Sequence, residues 1–201
     1  VPPACWVSYR GINNQGVSQD WVINYTSVKS GIYSAYVKYE NVFAITEDWL
    51  VSPKIIVPNS SSFVTLNFWE RDGGYGPSYS STYSIKVSTS SQTDHSTFVD
   101  VMSYTESDII HLFTQRTIDL SAYVGQDIYV AFVMTQDNGE DWYIDDIQFD
   151  ITNNGTPPVA DFSANQTTVC SGNSIQFTDC LLYTSDAADD SLRLDLGVRR
   201  I

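Results

Sequence analysis

The chain has 201 residues and a net charge of −14 at pH 7. So acidic a chain argues against nucleic acid and anionic membrane surfaces as partners, since both attract basic patches. Aromatics reach 13%, charged residues only 17%, and no run approaches transmembrane length, so membrane insertion is not expected and an extracellular β-protein fits better than a helical cytosolic one.

The chain opens on Val1, with neither an initiator Met nor a signal peptide. A removed leader or an internal fragment is the expectation from that opening. Cys5, Cys170 and Cys180 lack metal-type spacing, and one of them must stay unpaired within the chain.

In chain order, an aromatic first strand is expected within residues 1–13, followed by a loop from Asn13 to Asp20 (NNQGVSQD). Short strands then cover Asp20–Tyr25 and Ile32–Tyr39, split by Ser27–Gly31. Glu47–Pro53 and Lys54–Val57 follow, closed by a Pro58-Asn59-Ser60 turn. In Phe63–Glu70, Val64, Leu66 and Phe68 share one face while Thr65 and Asn67 take the other. An aromatic, Gly-rich loop, Arg71–Tyr79 (RDGGYGPSY), leads to a strand where Tyr83, Ile85 and Val87 alternate with Ser84 and Lys86. Phe98–Tyr104 is another strand, and Glu106–His111 holds the one plausible helical turn. No long stretch shows the 3.6-residue period of an amphipathic helix.

From Thr114 to Phe149 the pattern predicts a polar turn, a strand, a loop and a second strand. Ile128, Val130, Phe132 and Met134 form an apolar face, and Gln136–Asp141 (QDNGED) breaks the run. The second strand carries adjacent carboxylates, Asp145 and Asp146. Strict alternation with Ile147, Phe149 and Ile151 puts Asp145 on the core face, where a carboxylate needs hydrogen bonds, a cation or a metal. About ten short strands at regular spacing predict an all-β fold, a sandwich or barrel.

Thr152–Pro158 (TNNGTPP) reads as a linker after a domain spanning 1–151. Residues 159–179 open a second β unit, with strands near Ala160–Ser163 and Ser174–Thr178, too short to bury a core alone. Residues 180–201 (CLLYTSDAADDSLRLDLGVRRI) change composition abruptly and lose the β pattern. Over CLLYTSDAAD the tail resembles a translated sequencing adapter, so it is expected to be non-native.

The stretches PPACW, SGIYSAYV, EDWLVSPKIIVP, VTLNFWERD, YSIKVSTS, TQRTIDLSAYVGQDIYVAFV and DWYIDDIQF together resemble the cleaved-adhesin, or choice-of-anchor J, family of bacterial surface modules. The resemblance runs from Pro2 to Ile151 and implies a jelly-roll β-sandwich related to MAM-type and carbohydrate-binding domains. The family often has an Asp/Gly-rich early turn; here the loop reads NNQGVSQDW, with fewer carboxylates. The second unit, PPVADFSANQTTVCSGNSIQFTD, resembles the opening of a PKD-type, immunoglobulin-like domain.

Neither histidine, His95 or His111, sits in a catalytic motif, and the chain has no G-x-S-x-G or H-E-x-x-H. Asp145 and Asp146 are adjacent and point apart, unlike a hydrolytic pair facing across a cleft. The chain is therefore read as non-catalytic. A structural Ca²⁺ is expected, since related jelly rolls often carry one and Ca²⁺ takes six to eight oxygens. Asp145 is the first candidate ligand and Asp146 the second, with Asp48, Glu47 and Asp20 as partners. The competing expectation is that Asp145 accepts backbone N–H bonds or pairs with Lys or Arg. Asp137, Glu140 and Asp141 are expected to form a solvated acidic turn, with a second cation site as the alternative.

Trp69, Tyr75, Tyr79 and Trp142 are the candidate ligand-binding aromatics, able to stack on sugars or anchor an interface. Strand-end packing competes for Trp69 and Trp142, and Trp6, Trp21 and Trp49 read as core. The expected function is a secreted or cell-surface adhesion module, part of a larger multidomain chain, that binds an extracellular protein, matrix component or glycan. An accessory domain of a secreted protease or glycosidase, or a structural spacer, are the alternatives.

Overall fold

The computed structural model describes residues 5–74, 79, 81–153, 162–164, 177–179 and 191–193, with side chains up to residue 152. Tyr75 lies outside the described residues. The main body is a jelly-roll β-sandwich of two antiparallel sheets. Its strands are β1 (Val7–Tyr9), β2 (Val22–Asn24), β3 (Ser34–Val37), β4 (Thr46–Val51), β5 (Ile55–Ile56), β6 (Ser61–Asp72), β7 (Thr82–Ser88), β8 (Val99–Thr105), β9 (Thr114–Asp119), β10 (Asp127–Gln136) and β11 (Trp142–Asn153). The first sheet runs β1-β4-β10-β7-β8, with β5 also on β10, and the second runs β2-β3-β11-β6-β9. Pro53, which lacks an N–H, separates β4 from β5. Ser52 bridges the break, its Oγ accepting from Val130 N at 2.9 Å.

Alternation decides which side chains enter the core. Leu50, Ile85, Val130 and Phe132 of the first sheet meet Leu66, Phe68, Ile144 and Phe149 of the second. Trp142 sits at the centre of an aromatic cluster, with ring centroids 5.3 Å from Trp21 and 4.9 Å from Tyr83. Trp6 and Trp21 are buried there, as expected. The outer side of the first sheet is also covered. Trp49, Val51, Ala131 and Val133 form a second apolar cluster with Tyr9 and Phe98, which explains why β10 is apolar in both phases.

Two features depart from the sequence reading. The stretch from Thr114 is not a polar turn but the edge strand β9, paired with β6. An edge strand shows one face to water, so its polar residues follow. The second departure is a β-bulge in β11. Asp145 pairs with Trp69 and Gln148 with Asn67, so three steps on β11 match two on β6. The extra residue is absorbed near Asp146, which takes a left-handed φ of 48°. Ile144, Ile147 and Phe149 all face inward in consequence, while Asp145 falls in phase with Tyr143 on the outer side.

The helical turn expected at Glu106–His111 is a single 3₁₀ turn, Glu106–Asp108. Beyond the sandwich, Phe162–Ala164 pairs antiparallel with Phe177–Asp179. Ser191–Arg193 pairs with Gln148–Asp150 of β11, on an edge that β3 leaves open past Ile144. Exposed strand edges accept extended segments readily.

The registers gather five connections at one end of the sandwich. β3 ends and β11 begins at the Val37–Trp142 pair, which also adjoins the end of β6 at Asp72. β10 ends where β4 begins, at Gln136 and Thr46. β7 begins where β8 ends, at Thr82 and Thr105. Loops 38–45, 106–113 and 137–141 and the start and end points of the β6–β7 connection, Asp72 and Thr82, therefore share this end, and loop 10–21 joins them through Ile12 N donating to Glu47 O at 3.0 Å.

Candidate functional site

Asp145 is buried although it lies on the outer side of its sheet, because the loop between β2 and β3 covers it. Its Oδ2 accepts from Lys29 N at 2.7 Å and Ser30 N at 3.3 Å, and its Oδ1 accepts from Asp146 N at 2.8 Å. Burial pushes its carboxyl upward, and the three N–H donors oppose that. Ser30 Oγ donates to Asp146 Oδ1 at 2.6 Å. Backbone donors crowd both oxygens of Asp145, a poor setting for a cation. The carboxylate instead latches a loop to the last strand.

The other acids expected as partners lie elsewhere, at the loop-bearing end. Asp48 is fully buried in β4. Its Oδ1 accepts from Gly11 N at 3.0 Å, whereas its Oδ2 is buried without a partner. Burial, with Glu40, Asp20 and Glu47 adding repulsion, raises its pKa to about 7. Glu40, which sequence reasoning missed, is buried and accepts from Gln19 N at 2.8 Å and Ser18 N at 3.1 Å. Asp20 accepts from Trp21 N at 2.7 Å, and Glu47 from Trp49 Nε1 at 2.7 Å. The structure thus brings Asp48 toward Asp20 and Glu40 and leaves Asp145 and Asp146 apart. Among the described residues no three acidic, His or Cys side chains converge as a ready set of metal ligands.

The QDNGED acids are not a solvated turn. Glu140 and Asp141 are buried. Asp141 accepts from Tyr36 OH at 2.8 Å and Tyr39 N at 3.2 Å. Asp137 and Asn138 stay partly exposed, but the turn's packing between neighbouring loops shields Glu140 and Asp141, which its polar composition cannot reveal.

The aromatic candidates divide. Trp142 is 0% exposed and donates from Nε1 to Glu70 at 3.0 Å, so it offers no surface platform. Trp69 lies half-buried on the outer side of the second sheet, with Lys29 Nζ 4.0 Å from its ring centroid. Tyr143 on the same side has Tyr36 at 4.6 Å and the Arg71 guanidinium at 5.2 Å. Cations already occupy these ring faces. Tyr79 is exposed, and its N–H donates to Glu106 at 2.6 Å.

Among the described residues, the most exposed aromatic is one the sequence pattern did not flag. Phe43 is 92% exposed and has a left-handed φ of 57°. Val42 and Ile45 on the same loop and Val17 on the adjacent one are exposed too. Asn13 Nδ2 ties these loops together by donating to Ile45 O at 2.7 Å. A bulky residue held outward on a left-handed backbone departs from ordinary folding preferences. The signal available in the sequence was the apolar run VFAI, in which every second residue would be expected inside.

The histidines do not form a catalytic set. His95 packs edge-on against Trp49 and Tyr9 at 4.9 and 4.5 Å, and burial lowers its pKa. His111 lies in loop 106–113 between β8 and β9, at the opposite end of β8 from His95.

No protein-family model matches the chain, and no curated relative matches it by sequence. Solved structures do match the fold. The K1 cleaved adhesin domain of Lys-gingipain from Porphyromonas gingivalis W83 aligns with TM-score 0.53 and 22% identity over 76% of this chain and 93% of that one. The K3 cleaved adhesin domain of the same protein aligns with TM-score 0.53 and 20% identity over 74% and 92%. The carbohydrate-binding module TmCBM61, solved with β-1,4-galactotriose, aligns with TM-score 0.50 and 10% identity over 74% and 89%. At these identities the likeness is one of fold: this chain carries the β-sandwich shared by cleaved adhesin domains and carbohydrate-binding modules.

Proposed function

We propose that the chain is a non-catalytic binding module of a secreted or cell-surface protein, and that it engages a polypeptide through the loop-bearing end of the sandwich. The observation carrying this reading is the outward Phe43, flanked by exposed Val42, Ile45 and Val17. Apolar side chains clustered on an otherwise polar surface mark protein contact sites. A glycan reading on the sheet face draws less support, because sugar stacking needs open aromatic faces, and those of Trp69 and Tyr143 carry Lys29 and Arg71.

The expected Ca²⁺ becomes a narrower proposal, moved from Asp145 to Asp48. The unpartnered Asp48 Oδ2 is the available oxygen, and Asp20 and Glu40 are the acids bearing on it. An ion held there would tie loop 10–21 to β4 behind the Phe43 loop. Ca²⁺ is then expected to raise the melting temperature, and Asp48→Asn to remove the increment. An unchanged melting curve with chelator would overturn the metal reading alone.

The binding reading is tested by displaying wild-type and Phe43→Ser chains to extracellular protein and glycan arrays. A protein hit lost in Phe43→Ser, with melting unchanged, is the expected result. A glycan hit insensitive to Phe43 but lost in Trp69→Ala would place binding on the sheet face and overturn it.

A further inference from the structure

One side of β11 lacks a neighbour along much of its length. β6 pairs with β11 from Trp142 to Asn153, but on the other side β3 reaches only Trp142, Tyr143 and Ile144. β2 pairs with β3 and adds no cover. The chain before β3 does not run on beside β11, because the Asp145 carboxylate holds the Lys29 and Ser30 N–H groups over the outer side of the sheet. Past the bulge, the N–H and C=O groups of alternate residues therefore face an open side, and such a row is a template for a further strand.

One segment takes up that template. Ser191–Arg193 pairs antiparallel with Gln148–Asp150, and among the described residues no other strand pairs with this side of β11 past Ile144. The segment is only three residues long, whereas β11 runs on to Asn153. A ladder of backbone bonds does not read side-chain identity, so the acceptor is a property of β11 rather than of residues 191–193.

The alternation of β11 sets what an added strand must carry. Ile147 and Phe149 are 0% exposed, and Ile151 packs against the core, so this row faces inward. Gln148 and Asp150 are half-buried on the outer side. Asp150 already accepts from Asn67 Nδ2 at 2.7 Å and from Gln148 Nε2, so the outer row asks for polarity and not for a counter-charge. Residues directly opposite each other in an antiparallel pair share a face. The position opposite Phe149 is therefore an apolar one, and its two neighbours are polar. Leu192 stands opposite Phe149, with Ser191 opposite Asp150 and Arg193 opposite Gln148, which fits that pattern.

We propose that the open side of β11 from Ile147 to Thr152 is a strand-addition site for an extended segment of a polypeptide partner, with apolar residues at alternate positions and polar residues between them. Ser191–Arg193 holds the site in cis until a longer segment replaces it. The inference goes beyond the protein-binding reading and does not rest on it, because Phe43 belongs to loop 38–45 whereas this site is an edge within the second sheet.

The test is amide hydrogen exchange, read by NMR, on the full chain and on its Leu192→Pro/Arg193→Pro double variant. Successive N–H groups of a strand point to opposite sides, so one of the two prolines removes a donor on the β11 side whichever the phase. The expected result is protection in wild type at those amides of Gln148–Asp150 that point away from β6. The double variant loses it and keeps the protection of Leu66 and Phe68. Acetyl-Ser-Leu-Arg-Leu-Asp-Leu-amide, which repeats the sequence from Ser191 to Leu196, should restore protection saturably. It should bind the double variant roughly tenfold or more tighter than wild type, because the cis segment no longer competes. The re-ordered acetyl-Ser-Arg-Asp-Leu-Leu-Leu-amide keeps the composition, loses the alternation and should not restore it. No protection in wild type, no restoration by the alternating peptide, equal restoration by the re-ordered one, or equal affinity for the two proteins would each overturn the proposal. Dimerisation of the double variant in sedimentation, with the same amides protected, would seat a second copy on the edge and overturn it as well.

Discussion

Asp145 Oδ2 accepts a hydrogen bond from the backbone N–H of Lys29 at 2.7 Å, across 116 positions of sequence. The loop before β3 is thus tied to the last strand of the sandwich by one carboxylate. Asp145→Ala leaves the Lys29, Ser30 and Asp146 N–H groups without that acceptor. We predict a loss of roughly 2–4 kcal/mol in urea unfolding, from buried donors left unmade. Asp145→Asn keeps an acceptor and should lose clearly less. Equal losses would mean that charge rather than hydrogen bonding holds the loop.

Glu70 sits inside the sandwich and accepts from Arg116 Nε, Tyr104 OH at 2.5 Å and Trp142 Nε1 at 3.0 Å. The Arg116 guanidinium also lies 3.8 Å from the Tyr104 ring centroid. Arg116→Ala strands a buried carboxylate, and we predict a cost of about 3 kcal/mol. Adding Glu70→Gln should recover part of it. A double variant as unstable as the sum of the single ones would show that the two residues act independently.

Asp48 links stability to pH in the sense opposite to a salt-bridged acid. Burial raises its folded-state pKa to about 7, above the ordinary carboxylate value. Between those values the folded chain binds the extra proton, so stability falls as pH rises from about 4 to 7. The shift bounds the effect at roughly 4 kcal/mol. In chelator, wild type should lose stability between pH 5 and 8 relative to Asp48→Asn. A constant difference between the two proteins across that window would contradict the assignment. His95, whose pKa burial lowers, is common to both and cancels.

Gly16 and Gly31 form a matched pair. Both have left-handed φ, 61° and 66°, but a Cβ on Gly16 would meet Thr46 Cγ2 at 2.2 Å, while one on Gly31 meets nothing within 4 Å. Gly31→Ala should cost about 1 kcal/mol, the backbone strain alone. Gly16→Ala adds overpacking and should cost roughly 2–4 kcal/mol. Chemical denaturation of the two variants checks the difference.

Alternating apolar residues make β6, β7 and β10 legible in the sequence, because each carries an inward phase that is apolar at every second position. Other features depend on insertions and neighbours that a pattern does not encode. The bulge near Asp146 moves Asp145 out of phase with Ile147 and Phe149 by a single residue, and nothing in YIDDIQF marks it. Glu70 and Arg116 occupy the inward phase of their strands, beside Phe68 and Ile118. A charge in the core phase of two strands was a usable sign of an internal ion pair. Glu40 had no such sign, since its role depends on loop 10–21 folding back over it. Between the two expectations for Trp142, surface platform or strand-end packing, the sequence could not choose, because burial depends on depth: Trp142 begins its strand yet lies at the centre of the core.

The strand order has a consequence for how the chain is made. β4, β5 and β7 all pair with β10, and β3 and β6 both pair with β11. Each sheet therefore receives a central strand late in synthesis. A nascent chain that has reached Gln126 holds only separate pairs, such as β1 with β4 and β6 with β9. Their apolar faces stay uncovered until the last strands emerge, so assembly waits on contacts distant in sequence. A chain crossing a membrane before it folds would have that interval in which to remain extended.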